Sequence, residues 1–126
     1  MARVLVVEDD EDIRGLIVAR VKNGNHFVNN AGSADEALTM VRERGAPDIV
    51  ILDVGLPGMD GLQLLVALRE QLENPNLPAI FLSARVSAED IAAGHKLNAS
   101  YLTKPFVASA LLNEIRTALG AEVPKW

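Results

Sequence analysis

The sequence contains no cysteine, which excludes both a disulfide framework and a thiolate metal centre. Positive charge is in the minority: 12 Lys and Arg stand against 17 Asp and Glu, for a net charge of −5. That is the wrong sign for a general nucleic-acid binder, which needs a basic face to meet phosphates. No apolar run approaches the roughly 20 residues that cross a bilayer. The opening Met1-Ala-Arg-Val-Leu5 lacks the basic-then-apolar layout of a signal peptide and reads as a strand. Internal repeats and low-complexity segments are also missing. Histidine is scarce, and His26 and His95 stand apart, without the spacing of paired metal ligands; both read as solvated. What remains is one domain of 126 residues, 49% hydrophobic, enough for a full core without staples. The expectation is a soluble cytoplasmic α/β domain with no membrane segment and no direct nucleic-acid contact.

Ile49-Val-Ile-Leu52 is a continuous apolar run rich in β-branched residues, the pattern of a strand buried on both faces. It stops at one carboxylate, Asp53, and a loop containing Gly55, Pro57 and Gly58 leads to a helix opened by Gly61. Val4-Leu-Val-Val7 is a second such strand and ends in five consecutive acids, Glu8 to Asp12. Ile13, Leu16, Ile17 and Val21 then recur at helical spacing, with Asp9 or Asp10 near the N-cap. Five acids exceed what a cap requires. His26 to Val28 reads as a short edge strand, and Ser33-Ala-Asp-Glu36 as a capping box for the next helix. Pro78 to Leu82 forms another buried strand ending at Ser83, followed by a weaker helix capped at Ser87. Tyr101-Leu102 is a last short strand running into Lys104-Pro105, and Leu111, Leu112, Ile115 and Leu119 mark the final helix. Gly120 stops it, leaving residues 1–120 as the domain and 121–126 as a tail. Five strands alternating with five helices predict a doubly wound five-stranded parallel sheet with helices on both faces.

In such sheets ligands bind beyond the carboxyl ends of the strands. Glu8 and Asp9, Asp53, Ser83 and Lys104 therefore share one rim. Each has an ordinary explanation alone: a cap, a turn, a surface charge. Together they form a set with chemistry. Three crowded carboxylates repel one another, and a hard divalent cation relieves the repulsion. Mg2+ suits best, because it accepts a few carboxylates and leaves room for a phosphate oxygen; another divalent ion such as Mn2+ would serve. A carboxylate at the centre can act as a nucleophile and carry a phosphoryl group as an acyl phosphate. The metal, the Lys104 ammonium and the Ser83 hydroxyl would hold the phosphoryl oxygens.

The motifs Val-Val-Glu8-Asp9-Asp, Leu-Asp53-Val-Gly-Leu-Pro-Gly-Met-Asp-Gly61, Leu-Ser83-Ala and Tyr101-Leu-Thr-Lys104-Pro105-Phe occur in this order between Arg3 and Leu119. They resemble the receiver domains of two-component response regulators. The resemblance implies a flavodoxin-like receiver fold with strand order 2-1-3-4-5. It implies that Asp53 is the phosphoacceptor, served by a sensor histidine kinase or a histidine phosphotransfer protein. By the same resemblance Glu8, Asp9, Asp53 and the backbone carbonyl of Gly55 hold the metal, and Lys104 pairs with the phosphoryl group. Ser83 and Tyr101 form a switch pair, the Lys104-Pro105 bond is cis, and Gly55 and Arg85 border the phosphoryl group and tune its lifetime. Such a domain is not an enzyme in the usual sense, since it acts only on its own Asp53.

Other readings fit less well. A flavodoxin-like cofactor domain needs a glycine- and hydroxyl-rich phosphate loop after the first strand, where five acids would repel phosphate. A haloacid-dehalogenase-like phosphatase places its paired aspartates at the strand end, whereas Asp10 and Asp12 lie in the helix. A pseudo-receiver, a pure binding module, does not require the complete acceptor set. Two departures from the commonest receiver pattern affect the output face. The Leu97-Asn-Ala-Ser-Tyr101 turn is one residue short, and Asn98 stands where Gly takes the left-handed cap, for which Asn is the next best residue. The face also lacks the ion-pair lattice of regulators with a winged-helix DNA-binding domain. Ala99, Ser100 and Ala110 stand where acids belong, and Glu114 where a base belongs. The expectation is a monomer, or a weak dimer of another kind, whose downstream target is a protein partner or an effector domain.

Overall fold

The computed structural model describes residues 2–83, 88–104 and 107–120. The elements alternate as expected: β1 (Arg3–Val7), α1 (Glu11–Asn23), β2 (Phe27–Ala31), α2 (Ala34–Arg44), β3 (Ile49–Asp53), α3 (Gly61–Gln71), β4 (Ala79–Ser83), α4 (Ala88–Lys96), β5 (Ser100–Thr103) and α5 (Ala108–Ala118). The strands pair in the order β2-β1-β3-β4-β5, all parallel.

Strand alternation divides the core in two. Leu5, Val7, Val50, Leu52 and Phe81 point to one face and pack with Ala37 and Val41 of α2 and with Leu64, Leu65 and Leu68 of α3. Val4, Val6, Ile49, Ile51, Ile80 and Leu82 point to the other and pack with Ile17 and Val21 of α1 and Leu111 and Ile115 of α5. This is why β1, β3 and β4 read as unbroken apolar runs: both faces are covered. Fully burying one such side chain contributes roughly 1.5–3 kcal/mol, whereas a helix cap contributes about 1 kcal/mol. Packing therefore sets the register, and the caps trim the ends.

The caps resolve two points. The Asp10 carboxylate accepts from the N–H groups of Asp12 and Ile13, both at 3.0 Å, so Asp10 caps α1 and Asp9 is left for the strand-end crevice. Ser33 accepts from the N–H of Glu36, the first half of the expected capping box. A complete reciprocal box forms at α3, where Asp60 and Gln63 each accept from the other's backbone N–H. Asn98 adopts φ 54°, the left-handed conformation its position called for. One strand differs from expectation: β2 extends to Ala31, because Asn29 and Asn30 pair in register with Leu5 and Val6. Pairing with a central strand overrides their poor strand propensity.

Candidate functional site

The carboxyl ends of β1, β3, β4 and β5 converge on one crevice. Glu8, the first residue after β1, is 1% exposed. Its backbone N–H donates to the Ala31 carbonyl at 3.1 Å, which ties the end of β1 to the end of β2. One carboxylate oxygen of Glu8 accepts from Lys104 Nζ at 2.5 Å, and the other accepts from the Asp10 N–H at 3.3 Å. Asp53 closes β3; its Oδ1 accepts from the Gly55 N–H at 3.0 Å, and its Oδ2 lies 3.5 Å from Lys104 Nζ. Oxygens from Glu8, Asp9 and Asp53 lie within 4.8 Å of one another. Ser83 is buried at the end of β4, and its carbonyl accepts from the Lys104 N–H at 2.8 Å.

The electrostatics follow from this crowding. Burial pushes the Glu8 carboxyl up to about 7, against the hydrogen bond from Lys104 that lowers it; Asp53 and Asp9 add to the rise. For Lys104, burial acts to lower the pKa, but the bond to Glu8 and the charges of Asp53 and Glu8 outweigh it, so its pKa is raised. An ammonium thus stands among three carboxyl groups, one of them titrating near neutrality. Three hard oxygen ligands, whose repulsion Lys104 offsets only in part, are the donor set that Mg2+ fits.

The other expected residues divide. Tyr101 is half-buried on β5, its ring centroid 6.3 Å from that of Phe81, and it packs on the α2–α3 side of the sheet. Gly55 meets Asp53 through its N–H group. Arg85, Pro105 with its expected cis bond, the Ser87 cap and the tail from 121 to 126 lie outside the described residues. His26 is corrected: it is half-buried, and its Nδ1 accepts from the Ala2 N–H at 3.1 Å. That bond belongs to the opposite end of the sheet, where a cavity of about 700 Å3 lies among Ala2, Asp48, Pro78, Leu112 and Arg116. The cavity shares no residue with the crevice.

Two features of the site escaped the sequence. A Cβ on Gly61 would stand 2.4 Å from the Asp53 carbonyl oxygen, so the α3 start can close on β3 only with glycine there. Arg14 donates through Nη1 to the Glu8 carbonyl at 2.9 Å. A cation near a helix start opposes the helix dipole, and that mismatch was the one signal pointing to it.

Comparison with known proteins agrees with this geometry. Residues 4–116 match the family described as the response regulator receiver domain. Transcriptional regulatory protein PrrA of Mycobacterium tuberculosis is 36% identical over 118 residues, which are 93% of this chain and 49% of that protein. Response regulator protein FleR of Pseudomonas aeruginosa is 40% identical over 121 residues, 94% of this chain and 25% of that protein. The chain thus spans half or less of the length of these two relatives. The solved structure of Vibrio cholerae chemotaxis protein CheY4 superposes with a TM-score of 0.86 at 29% identity, covering 94% of this chain and 98% of that one. With the sheet order, the acidic crevice and the family match in agreement, the chain belongs to the receiver domains of two-component response regulators.

Proposed function

We propose that Asp53 is the phosphoacceptor of a two-component signalling pathway, and that residues 1–120 form the receiver unit with 121–126 as a tail. The observation that carries this reading is the convergence of Glu8, Asp9 and Asp53 within 4.8 Å, with Lys104 bridging Glu8 and Asp53. An Asp53 carboxylate oxygen forms a bond to phosphorus while the P–N bond to a donor imidazole breaks, and the released nitrogen takes up a proton. The donor is the phosphohistidine of a sensor kinase or of a phosphotransfer protein. Glu8, Asp9, Asp53 and the Gly55 carbonyl would hold Mg2+, which when bound neutralises charge on the phosphoryl oxygens. Lys104 is placed to follow the charge as it moves from the carboxylate to the phosphoryl group. Its ammonium needs only a shift within the pocket, because it already sits 3.5 Å from Asp53.

The output follows from Ser83 and Tyr101. Ser83 ends the strand next to Asp53 and Tyr101 pairs in register with Phe81, so inward movement of the hydroxyl opens space toward which the ring turns. Partners that bind the face formed by α4, β5 and α5 would then select the phosphorylated population. Arg85, two residues past the switch hydroxyl, and Gly55, which offers no side chain to shield the acyl phosphate, set the lifetime of that state. Phosphorus NMR with acetyl phosphate and Mg2+ tests the reading. A protein acyl-phosphate resonance should appear, vanish in Asp53→Asn, and decay at an altered rate in Arg85→Ala. A resonance that survives in Asp53→Asn would overturn the acceptor assignment, and an unchanged decay would remove Arg85 from its role.

A further inference from the structure

Arg14 lies outside the acidic set, yet it is fastened to it. Its guanidinium donates to the Glu8 carbonyl at 2.9 Å, and so grips the peptide that joins the two acids, Glu8 and Asp9. On its other side it lies over Gly32, at the corner between β2 and α2, where an added Cβ would stand 2.9 Å from Nη1. The Glu36 carboxylate borders the same space, 3.9 Å from that Cβ position. Because Glu8 also donates its N–H to the Ala31 carbonyl, the peptides on both sides of Glu8 are fastened, the Val7–Glu8 peptide to β2 and the Glu8–Asp9 peptide to Arg14 of α1. A guanidinium on a backbone carbonyl fixes a peptide plane firmly, since its planar donors are preorganised. Asp9 is exposed, and the direction of its side chain depends on that plane.

We propose that Arg14 is a positioning residue for divalent-cation binding: it fixes the Glu8–Asp9 peptide so that both carboxylates face Asp53, and Gly32 is required to leave it room. This rests on the metal-site reading above and adds a residue to it. Groups that orient metal ligands typically change affinity by about 10- to 100-fold when removed. Arg14 acts through the backbone, so roughly tenfold is expected here.

Gly32→Ala separates positioning from charge and from stability. It keeps every charge, its backbone carries no left-handed φ, and the atom it displaces is the far end of a flexible side chain. Arg14→Lys keeps the charge as well and removes the planar fork. Mn2+ binding by electron paramagnetic resonance, with thermal unfolding of the metal-free protein alongside, reads both effects. Both variants are expected to melt within a few degrees of the parent while binding Mn2+ roughly tenfold more weakly. The double variant should lose little more than either single one, since both break the same contact. Unchanged Mn2+ affinity in the folded Gly32→Ala and Arg14→Lys proteins would overturn the role of Arg14 and leave the metal site standing. Failure of the parent protein to bind Mn2+ would overturn both.

Discussion

Glu8 carries the largest electrostatic tension of any described residue. Its carboxyl is pushed up to about 7 from an ordinary 4.5, chiefly by burial. A raised carboxyl pKa favours folding while the group stays protonated, so this contribution is full below about 4.5 and is lost as pH rises through 7. Lys104, with its own pKa raised, remains an ammonium throughout that window. Without metal the protein should therefore lose stability as pH rises from about 4.5 through 7, by at most about 3–4 kcal/mol at ~1.4 kcal/mol per pKa unit. Urea midpoints measured in chelator across that range check this, and Glu8→Gln should flatten the profile. A flat profile in the unsubstituted protein would mean that Lys104 offsets burial and keeps Glu8 ionised across that range. At this scale the sequence was legible where a residue ends a strand. Glu8, Asp9, Asp53, Ser83 and Lys104 were placed by counting from apolar runs. Arg14 was not: its charge near a helix start hints at a partner, but that partner is a backbone carbonyl reached only through the fold, and no side-chain pattern marks a carbonyl.

Among the elements, the corner between β3 and α3 controls how Asp53 is presented. Gly61 donates its N–H to Val54 at 3.1 Å, and a Cβ there would meet the Asp53 carbonyl oxygen at 2.4 Å. Neither partner is a flexible tip, so Gly61→Ala must push the helix off the strand end. Overpacking of this kind costs about 1–3 kcal/mol, and the urea midpoint should fall accordingly with slower labelling of Asp53. Unchanged stability would show that the corner has slack. Arg69 plays a comparable part further along α3, donating to the Leu77 carbonyl and, at 2.6 Å, to that of Leu97. It thereby ties α3 to the turn that ends α4. The sequence revealed α3 by its apolar spacing and its glycine, and the helix lies where that spacing put it. The two close approaches stayed hidden, since a steric limit and a carbonyl clamp depend on which elements become neighbours.

On the scale of the whole molecule, alternation of strands and helices was enough to predict the parallel, doubly wound sheet, whereas the order of strands came from resemblance to receivers. Physically this is reasonable: periodicity reports burial, and several orders bury the same residues. Among the described residues, Ala99 and Ser100 before and at the start of β5, Ala110 in α5 and Glu114 one turn later do not supply the acids and the base of a winged-helix-type lattice on the α4-β5-α5 face. Exposed ion pairs are weak even when present, so the phosphorylated state should not form a two-fold dimer there. Sedimentation of the beryllofluoride-treated protein at tens of micromolar should return a monomer or a weak association. A tight symmetric dimer through that face would contradict the expectation. The proposed bond between Asp53 and a phosphoryl group has one most direct test. The protein is treated with acetyl phosphate and Mg2+, reduced with borohydride to convert any aspartyl phosphate to homoserine, then digested and sequenced by mass spectrometry. Homoserine should be found at position 53 and be dependent on Mg2+. Homoserine at Asp9 or Asp10, or at no aspartate, would contradict the account.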